Sequence, residues 1–319
     1  MVIKICTTTE WTEQDWATYT VGFNEVFKKE YPPSFFQKKY INVKDRNSYH
    51  ALLEDEKEGV VGGCTILPCQ YERNGEIFLI GLAVDVFIRE SYRSDPLMLR
   101  RMYKQLKSIL IEKGVVAVVA VPNATAYPYW KNVVKWKDIG TINYWMLPVR
   151  IGNILNKWSF LNCISLLYTY TVTSFSVLTS ICNASTSNYT YRILPEDEFL
   201  QHRYEGDYTI YKDNIYFYVF RIMNEKGIKT AYILDATKYG MRSSKALLKA
   251  VRHILQSKVD LVLYVGKMGC FQTLFFKAPK KVEPKLLPLT CDLMSDEDKY
   301  TDIYQMDEWD FGLKNYDVR

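Results

Sequence analysis

Only three histidines occur in 319 residues, and the seven cysteines, an odd number, include no CxxC or CxxH pair. The first scarcity leaves His50, His202 and His253 as the only histidine bases or ligands, so metal chemistry and a serine or cysteine triad have little to draw on. The second signals neither a disulfide framework nor a zinc site and fits thiols kept reduced in a cytoplasm. No long apolar core follows the lysine of MVIKICTTTEW, so no secretory signal is expected and the location is read as cytoplasmic. From Trp158 to Tyr191 there is no charged residue at all, which raises the question of a bilayer span of about 20 apolar residues. The pattern argues against a span. Leu161, Ile164, Tyr168, Val172, Phe175, Leu178 and Cys182 recur at helical spacing, and Asn162, Ser165, Thr169, Thr173, Ser176, Ser180 and Asn183 form an opposite polar stripe. A membrane-surface helix normally carries lysine or arginine on its polar face. This run has none, and it reads as an amphipathic linker helix laid against the protein's own domains, with an interfacial membrane anchor as the alternative and a strand reading left open by YTYTVT.

What is present is ordinary for a globular protein: 48% hydrophobic and 24% charged residues, with a length that suits two domains. The expected division is an N-terminal domain over 1–150, the linker over 151–190 and a C-terminal domain over 191–319. The formal charge of +5 is modest and calls for no nucleic-acid partner. Residues 1–157 carry 21 basic and 17 acidic side chains against 20 and 19 in the rest, so an anionic ligand is expected in the first half. The last stretch, Cys291 to Arg319, holds nine acids and three bases and could attract an amine; a solvated acidic loop is the plainer alternative.

Along the first half, Thr12 is placed to cap a helix running to Phe27. SYHALLED, GVVGGCTILPCQY and EIFLIGLAVDVFI read as three strands, the last two joined at Asn74-Gly75, whose residues supply the left-handed angles of a tight hairpin. The polar loop RESYRSD leads to a helix from Pro96 to about Lys113, closed by Gly114. VVAVVAV, without alternation, reads as a strand buried on both faces.

Asn123 then leads a short aromatic helix and a final strand. This order, carried by VDVFIRESYRSDPLMLRRM and by VPNATAYPYW with Trp136 after it, resembles the GNAT superfamily of acyl-coenzyme A dependent N-acetyltransferases over roughly residues 1–150. The resemblance implies an α+β fold in which mixed, mostly antiparallel sheets are flanked by helices, and acetyl-coenzyme A or another acyl-coenzyme A as co-substrate with no metal. It implies further that the pyrophosphate would sit on the loop of Arg93, Ser94, Asp95 and Leu97 at a helix start. The pantetheine arm would pair with Val86, Phe87 and Ile88 and meet Asn123. Tyr129, with Tyr127 as second choice, would protonate the leaving thiolate. Asp85 would serve as base or water-organiser for the amine.

The loop departs from the family pattern of Arg or Gln, two residues, Gly, one residue, Gly or Ala, because Arg93 to Met98 contains no glycine. Asp95 could instead be the helix N-cap, with Pro96 at the first helical position. Asn123 could be a turn cap, Tyr127, Tyr129, Trp130 and Trp136 could be core, and Arg100, Arg101, Lys104 and Lys107 a solvated helix face.

The second half repeats the order. After a helical PEDEFLQHRY come DYTIYKD, NIYFYVFRI and GIKTAYILDAT as antiparallel strands, the helix SSKALLKAVRHILQSK and the buried strand VDLVLYVG, with Asp235 answering Asp85. HRYEGDYTIYKDN and MDEWDFGLKNYDVR resemble, more loosely, the C-terminal half of tandem GNAT proteins found among bacterial polysaccharide genes. The expected function is acyl transfer to a small amine such as an amino sugar. The alternatives are a GNAT-fold binding or scaffold protein that has lost coenzyme A, and a Fem-type aminoacyl transferase, whose aminoacyl-tRNA donor demands more basic charge.

Overall fold

Two hairpins of the same kind frame the protein. Asn74 and Gly75 turn at φ 51° and 83°, Lys226 and Gly227 at 53° and 83°, the left-handed pair that matches the twist of adjoining strands. The computed structural model describes residues 1–40, 47–179, 190–194, 207–239, 241–268, 274–280, 283–295 and 298–316. The helical reading of PEDEFLQHRY, like His202, Cys182 and the end of the charge-free run, lies outside them.

In chain order the elements are β1 (Val2–Thr7), α1 (Glu13–Phe27), α2 (Pro33–Tyr40), β2 (Tyr49–Asp55), β3 (Gly59–Arg73), β4 (Glu76–Ile88), α3 (Met98–Glu112), β5 (Val115–Ala120), the single-turn α4 (Tyr127–Tyr129), β6 (Lys137–Thr141) and β7 (Tyr144–Pro148). They continue with α5 (Ile151–Leu155), α6 (Leu161–Thr179), β8 (Tyr191–Ile193), β9 (Tyr208–Lys212), β10 (Tyr216–Glu225), β11 (Ile228–Lys238), β12 (Met241–Arg242), α7 (Ser244–Gln256), β13 (Leu261–Val265), β14 (Phe276–Lys277), β15 (Pro288–Leu293) and β16 (Trp309–Asp310). Thr12 caps α1 as expected: its hydroxyl accepts from the Asp15 amide (3.2 Å) while the Asp15 carboxylate takes the Thr12 amide (2.8 Å).

One compact unit comprises residues 1–141, 190–203 and 286–309, the other 142–189, 204–285 and 310–319. The first unit's sheet runs β1-β2-β3-β4-β5-β15-β6, with β8 on β3 and β16 on β8; the second runs β14-β7-β13-β11-β10-β9. Both contain an antiparallel hairpin, a helix that returns the chain parallel to it (β4 with β5, β11 with β13), and then two antiparallel strands. The units are therefore not contiguous halves split at 150. β15 enters the first sheet from late in the chain, and β7 enters the second from early in it, because a strand on the far side of the parallel pair can come from any part of the chain whose register and apolar pattern fit.

In the first unit α1 and α2 cover one sheet face through Trp16, Tyr19, Phe23, Phe36 and Tyr40, and α3 covers the other through Met102, Leu106 and Leu110. Each such aliphatic side chain stabilises by roughly 1.5–3 kcal/mol on burial. β5 is buried on both faces between them, as its unbroken apolar run requires. In the second unit Leu247, Val251 and Ile254 of α7 pack on Phe220, Ile233 and Val262.

Helix α6 turns its polar stripe inward. Ser165, Thr169, Thr173 and Ser176 are buried, whereas Ile164, Leu167, Tyr168 and Phe175 are exposed. Small side chains let the helix approach closely, and two of its hydroxyls have main-chain partners: Ser165 Oγ donates to Val149 O (2.9 Å) and accepts from the Ile151 amide (3.1 Å), and Thr173 Oγ1 donates to Thr169 O of its own helix (2.6 Å).

Candidate active site

The β3–β4 ladder slips at one place. Val84 pairs with Thr65 and Phe87 with Gly63, so Asp85 and Val86 together oppose Cys64 alone. Asp85 sits at φ 49°, a left-handed conformation that is uncommon outside glycine and that aspartate tolerates better than most residues. The bulge bends β4 where its other neighbour ends. Leu79–Leu82 pair in parallel with Val115–Val119 of β5, and past that point Ala83–Ile88 pair only with β3 among the described residues. Arg89 N donates to Val61 O of β3 (2.9 Å), so by alternation the main-chain groups of Ile88 and Val86 point to the free edge. Residues 83–86 and 88 are half-buried, and Phe87 alone is buried, packed into the α1–α2 core.

Asp85 is held from α2. Lys39 Nζ lies 2.8–2.9 Å from both carboxylate oxygens, Tyr40 donates its hydroxyl to Oδ2 (2.7 Å), and the Tyr19 and Tyr40 hydroxyls meet at 2.5 Å. Burial, reinforced by the Asp85 charge, pushes both tyrosines well above their ordinary range, so they serve as neutral donors. Beneath the strand, His50 is enclosed between Thr8 Oγ1 and Thr65 Oγ1, 2.9 Å from each, and burial lowers its pKa to about 3. Lys39, Tyr40 and Tyr19 are partners that no local motif announces: the lysine lies 46 residues upstream of Asp85.

The loop after β4 is closed on itself. Arg93 Nε donates to Ile88 O (2.7 Å), and Arg89 is engaged by Glu25 and Glu58. Asp95 Oδ1 accepts the Leu97 amide (2.9 Å), Asp95 O accepts the Met98 amide (3.2 Å), and Arg101 pairs with the Asp95 carboxylate. α3 accordingly starts at Met98 with Leu97 as its cap, not at Pro96. The aspartate forms a turn ahead of the helix instead of capping it, since its side chain reaches the amide two residues on before the helical ladder begins. Ser94 lies exposed in this turn; Arg100 and Lys104 form an exposed helix face, while Lys107 pairs with Asp292 (2.7 Å).

Beyond β5, Asn123 Oδ1 accepts the Thr125 and Ala126 amides (3.1 and 2.8 Å), the turn-cap alternative, and its Nδ2 has no partner among the described residues. Tyr127 donates to Asp138 Oδ1 (2.9 Å), and Tyr129 donates to Pro96 O. Burial, with the Asp95 charge second, raises the Tyr129 pKa and makes it a weaker acid. Trp130 and Trp136 are core, each meeting Tyr103 edge-on. The acidic stretch is engaged internally: Asp292 by Tyr103 and Lys107, Asp302 by Arg73 and Tyr191. No group of three His, Cys, Asp or Glu side chains gathers as a metal site among the described residues, and none of their helices is long and apolar enough to cross a membrane.

No protein-family model and no curated protein matches the chain. Solved structures do. A GCN5-related N-acetyltransferase from Anabaena variabilis is 14% identical with a TM-score of 0.58, over 92% of this chain and 73% of that one. Another from Kribbella flavida is 11% identical with a TM-score of 0.58, over 92% and 71%. The Saccharomyces cerevisiae N-myristoyltransferase with bound myristoyl-CoA is 10% identical with a TM-score of 0.54, over 91% and 82%. Identities this low speak for architecture alone, and the architecture of this chain is that of the GCN5-related N-acetyltransferases.

Proposed function

We propose that the first unit is an acyltransferase domain that takes an acyl thioester and passes its acyl group to a small amine. The observation that carries this reading is the free edge of β4 past the Asp85 bulge, where Val86 offers a main-chain donor and acceptor and Ile88 its N–H, the Ile88 carbonyl being held by Arg93, to an extended ligand. The residues present fit one part of acyl-coenzyme A and not the other. The pantetheine arm suits the β4 edge and the unpartnered Nδ2 of Asn123. The diphosphate does not suit the loop as it stands, because the Asp95 carboxylate takes the Leu97 amide and the Arg101 guanidinium. The thioester supplies an activated acyl group, and the chain's own residues do the rest: Asp85, charge-balanced by Lys39, orients the amine or a water beside it, and Tyr129 or Tyr127 holds the proton for the leaving sulfur. An amino sugar is the acceptor we favour.

A second reading, a fold retained as a cofactor-free binding module, is favoured by that same Asp95 turn. Calorimetric titration with acetyl-coenzyme A separates them. The acyltransferase reading expects saturable heat that tightens in Asp95→Ser and weakens about tenfold in Ile88→Pro, which removes one outward N–H but no bond to β3. No heat at millimolar ligand in either the native chain or Asp95→Ser leaves the binding module.

A further inference from the structure

Helix α6 presents to solvent the face that the sequence pattern assigns to the interior. Leu167 is 70% and Phe175 64% exposed, with Ile164 and Tyr168 exposed on the same face. Thr171, also on it, spends its hydroxyl on Leu167 O (2.8 Å), so it offers no unmet donor. Trp158 and Phe160, just before the helix, are each more than half exposed, and Phe276 of β14 stacks on Tyr168 at 5.9 Å between ring centroids. Together these side chains put on the order of 800 Å² of apolar surface in water, above the roughly 300–600 Å² of the largest patch on a typical monomer.

The charges beside this face are of one sign. Lys157 precedes Trp158, Lys277 follows Phe276, and Arg252 of α7 lines the groove shared with Tyr170 and Ser174. All three are exposed and make no ion pair among the described residues. The run from Trp158 to Tyr191 contains no acid to answer them. A second copy of the chain would therefore set these cations against their own kind, whereas anionic lipid headgroups would neutralise them. The usual objection to a surface-lying helix, a polar face without lysine, does not apply, because that face is buried against β7 and α7 and the cations come from neighbouring elements.

We propose that the outward face of α6, with Trp158, Phe160 and Phe276, docks on the surface of an anionic lipid bilayer, the aromatic and aliphatic side chains entering the headgroup boundary and Lys157, Arg252 and Lys277 meeting lipid phosphates. A helix of 19 residues lies flat over about 28 Å in this mode.

Co-sedimentation of the full chain with vesicles tests this. Binding is expected to phosphatidylcholine–phosphatidylglycerol vesicles and to be about tenfold weaker or more on phosphatidylcholine alone. Leu167→Asp with Phe175→Asp should abolish it with no change in thermal melting, both side chains being in solvent. Lys157→Ala with Lys277→Ala should erase the preference for phosphatidylglycerol. Absence of sedimentation with either vesicle, or binding untouched by Leu167→Asp with Phe175→Asp, overturns the proposal. So does a dimer in solution that Leu167→Asp converts to monomer, since a second copy then covers the face.

Discussion

The two units carry the same sheet order and the same bulged hairpin, yet one leaves its parallel strands parted and the other fills the gap with its own chain. In the first unit β4 from the bulge on stays half-buried except at Phe87. In the second, the ladder of β10 and β11 slips between Val219 and Phe220, and Asp235, Ala236 and Thr237 beyond that slip are buried. The filler is the segment after β16. Gly312 bridges Gly266 at the exit of β13, Phe311 to Tyr316 are buried, and Lys314 Nζ reaches Asp235 Oδ1 (3.6 Å) and Asp310 Oδ2 (3.0 Å). Gly266 has φ 142°, and a Cβ there would stand 2.9 Å from Phe311 O, so only glycine admits so close a strand. In the second unit the chain's own C-terminal segment occupies the splayed pair.

The largest expected effect breaks the sealed side. Lys314→Met leaves Asp235 and Asp310 buried without their lysine and should cost about 3–5 kcal/mol in denaturant unfolding. A smaller loss would mean that the segment is held by its apolar side chains instead. Acid should loosen the first unit selectively. His50 has a folded pKa of about 3 against an ordinary 6.5, so its contribution is complete above pH 6.5 and fades as pH falls toward 3. That is on the order of 4 kcal/mol, read as faster amide exchange in β1 and β2 than in β10 and β11, and His50→Gln should flatten the dependence. Lys39→Met, on the open side, should cost only about 2 kcal/mol, because Tyr40 still donates to Asp85 and the pair is less enclosed than Lys314 with Asp310. The smallest pair tests the symmetry of the hairpins. Gly75→Ala and Gly227→Ala share φ 83° and open surroundings, so each should lower stability by about 1 kcal/mol, and equally.

The local devices of the fold were legible because each is written within a few residues. Thr12 with Asp15 begins α1, Asn74-Gly75 turns the hairpin, and Val115–Ala120 announces a strand covered on both faces. Asp85 was marked as a site residue from its place on β4. What holds it was not, since Lys39 and Tyr40 reach it from a separate helix and the bulge that carries it depends on how β3 and β4 slip past each other. Asp95 illustrates the same limit: a carboxylate before a proline reads equally well as helix cap or ligand neighbour, and only the turn geometry assigned its hydrogen bond to the Leu97 amide. Helix α6 misled for a different reason. Its periodicity defines two faces but carries no sign for which is inside, and the inward choice is matched by the Val149 carbonyl and the Ile151 amide that meet Ser165.

The sequence by itself determined α1, α3, α7, the strands β2 to β5 and the Asn74-Gly75 turn, and a strand–helix–strand order that recurs with an aspartate in each, because propensity, turn chemistry and periodicity act over short separations. Tertiary structure alone decided that β7 and β15 cross between the sheets, that one splayed strand pair stays open while the other is filled by Gly312 to Lys314, and that α6 shows its apolar face to water. Those outcomes depend on pairings between residues far apart in the chain, where register, enclosure and charge compensation are settled only when the partners meet.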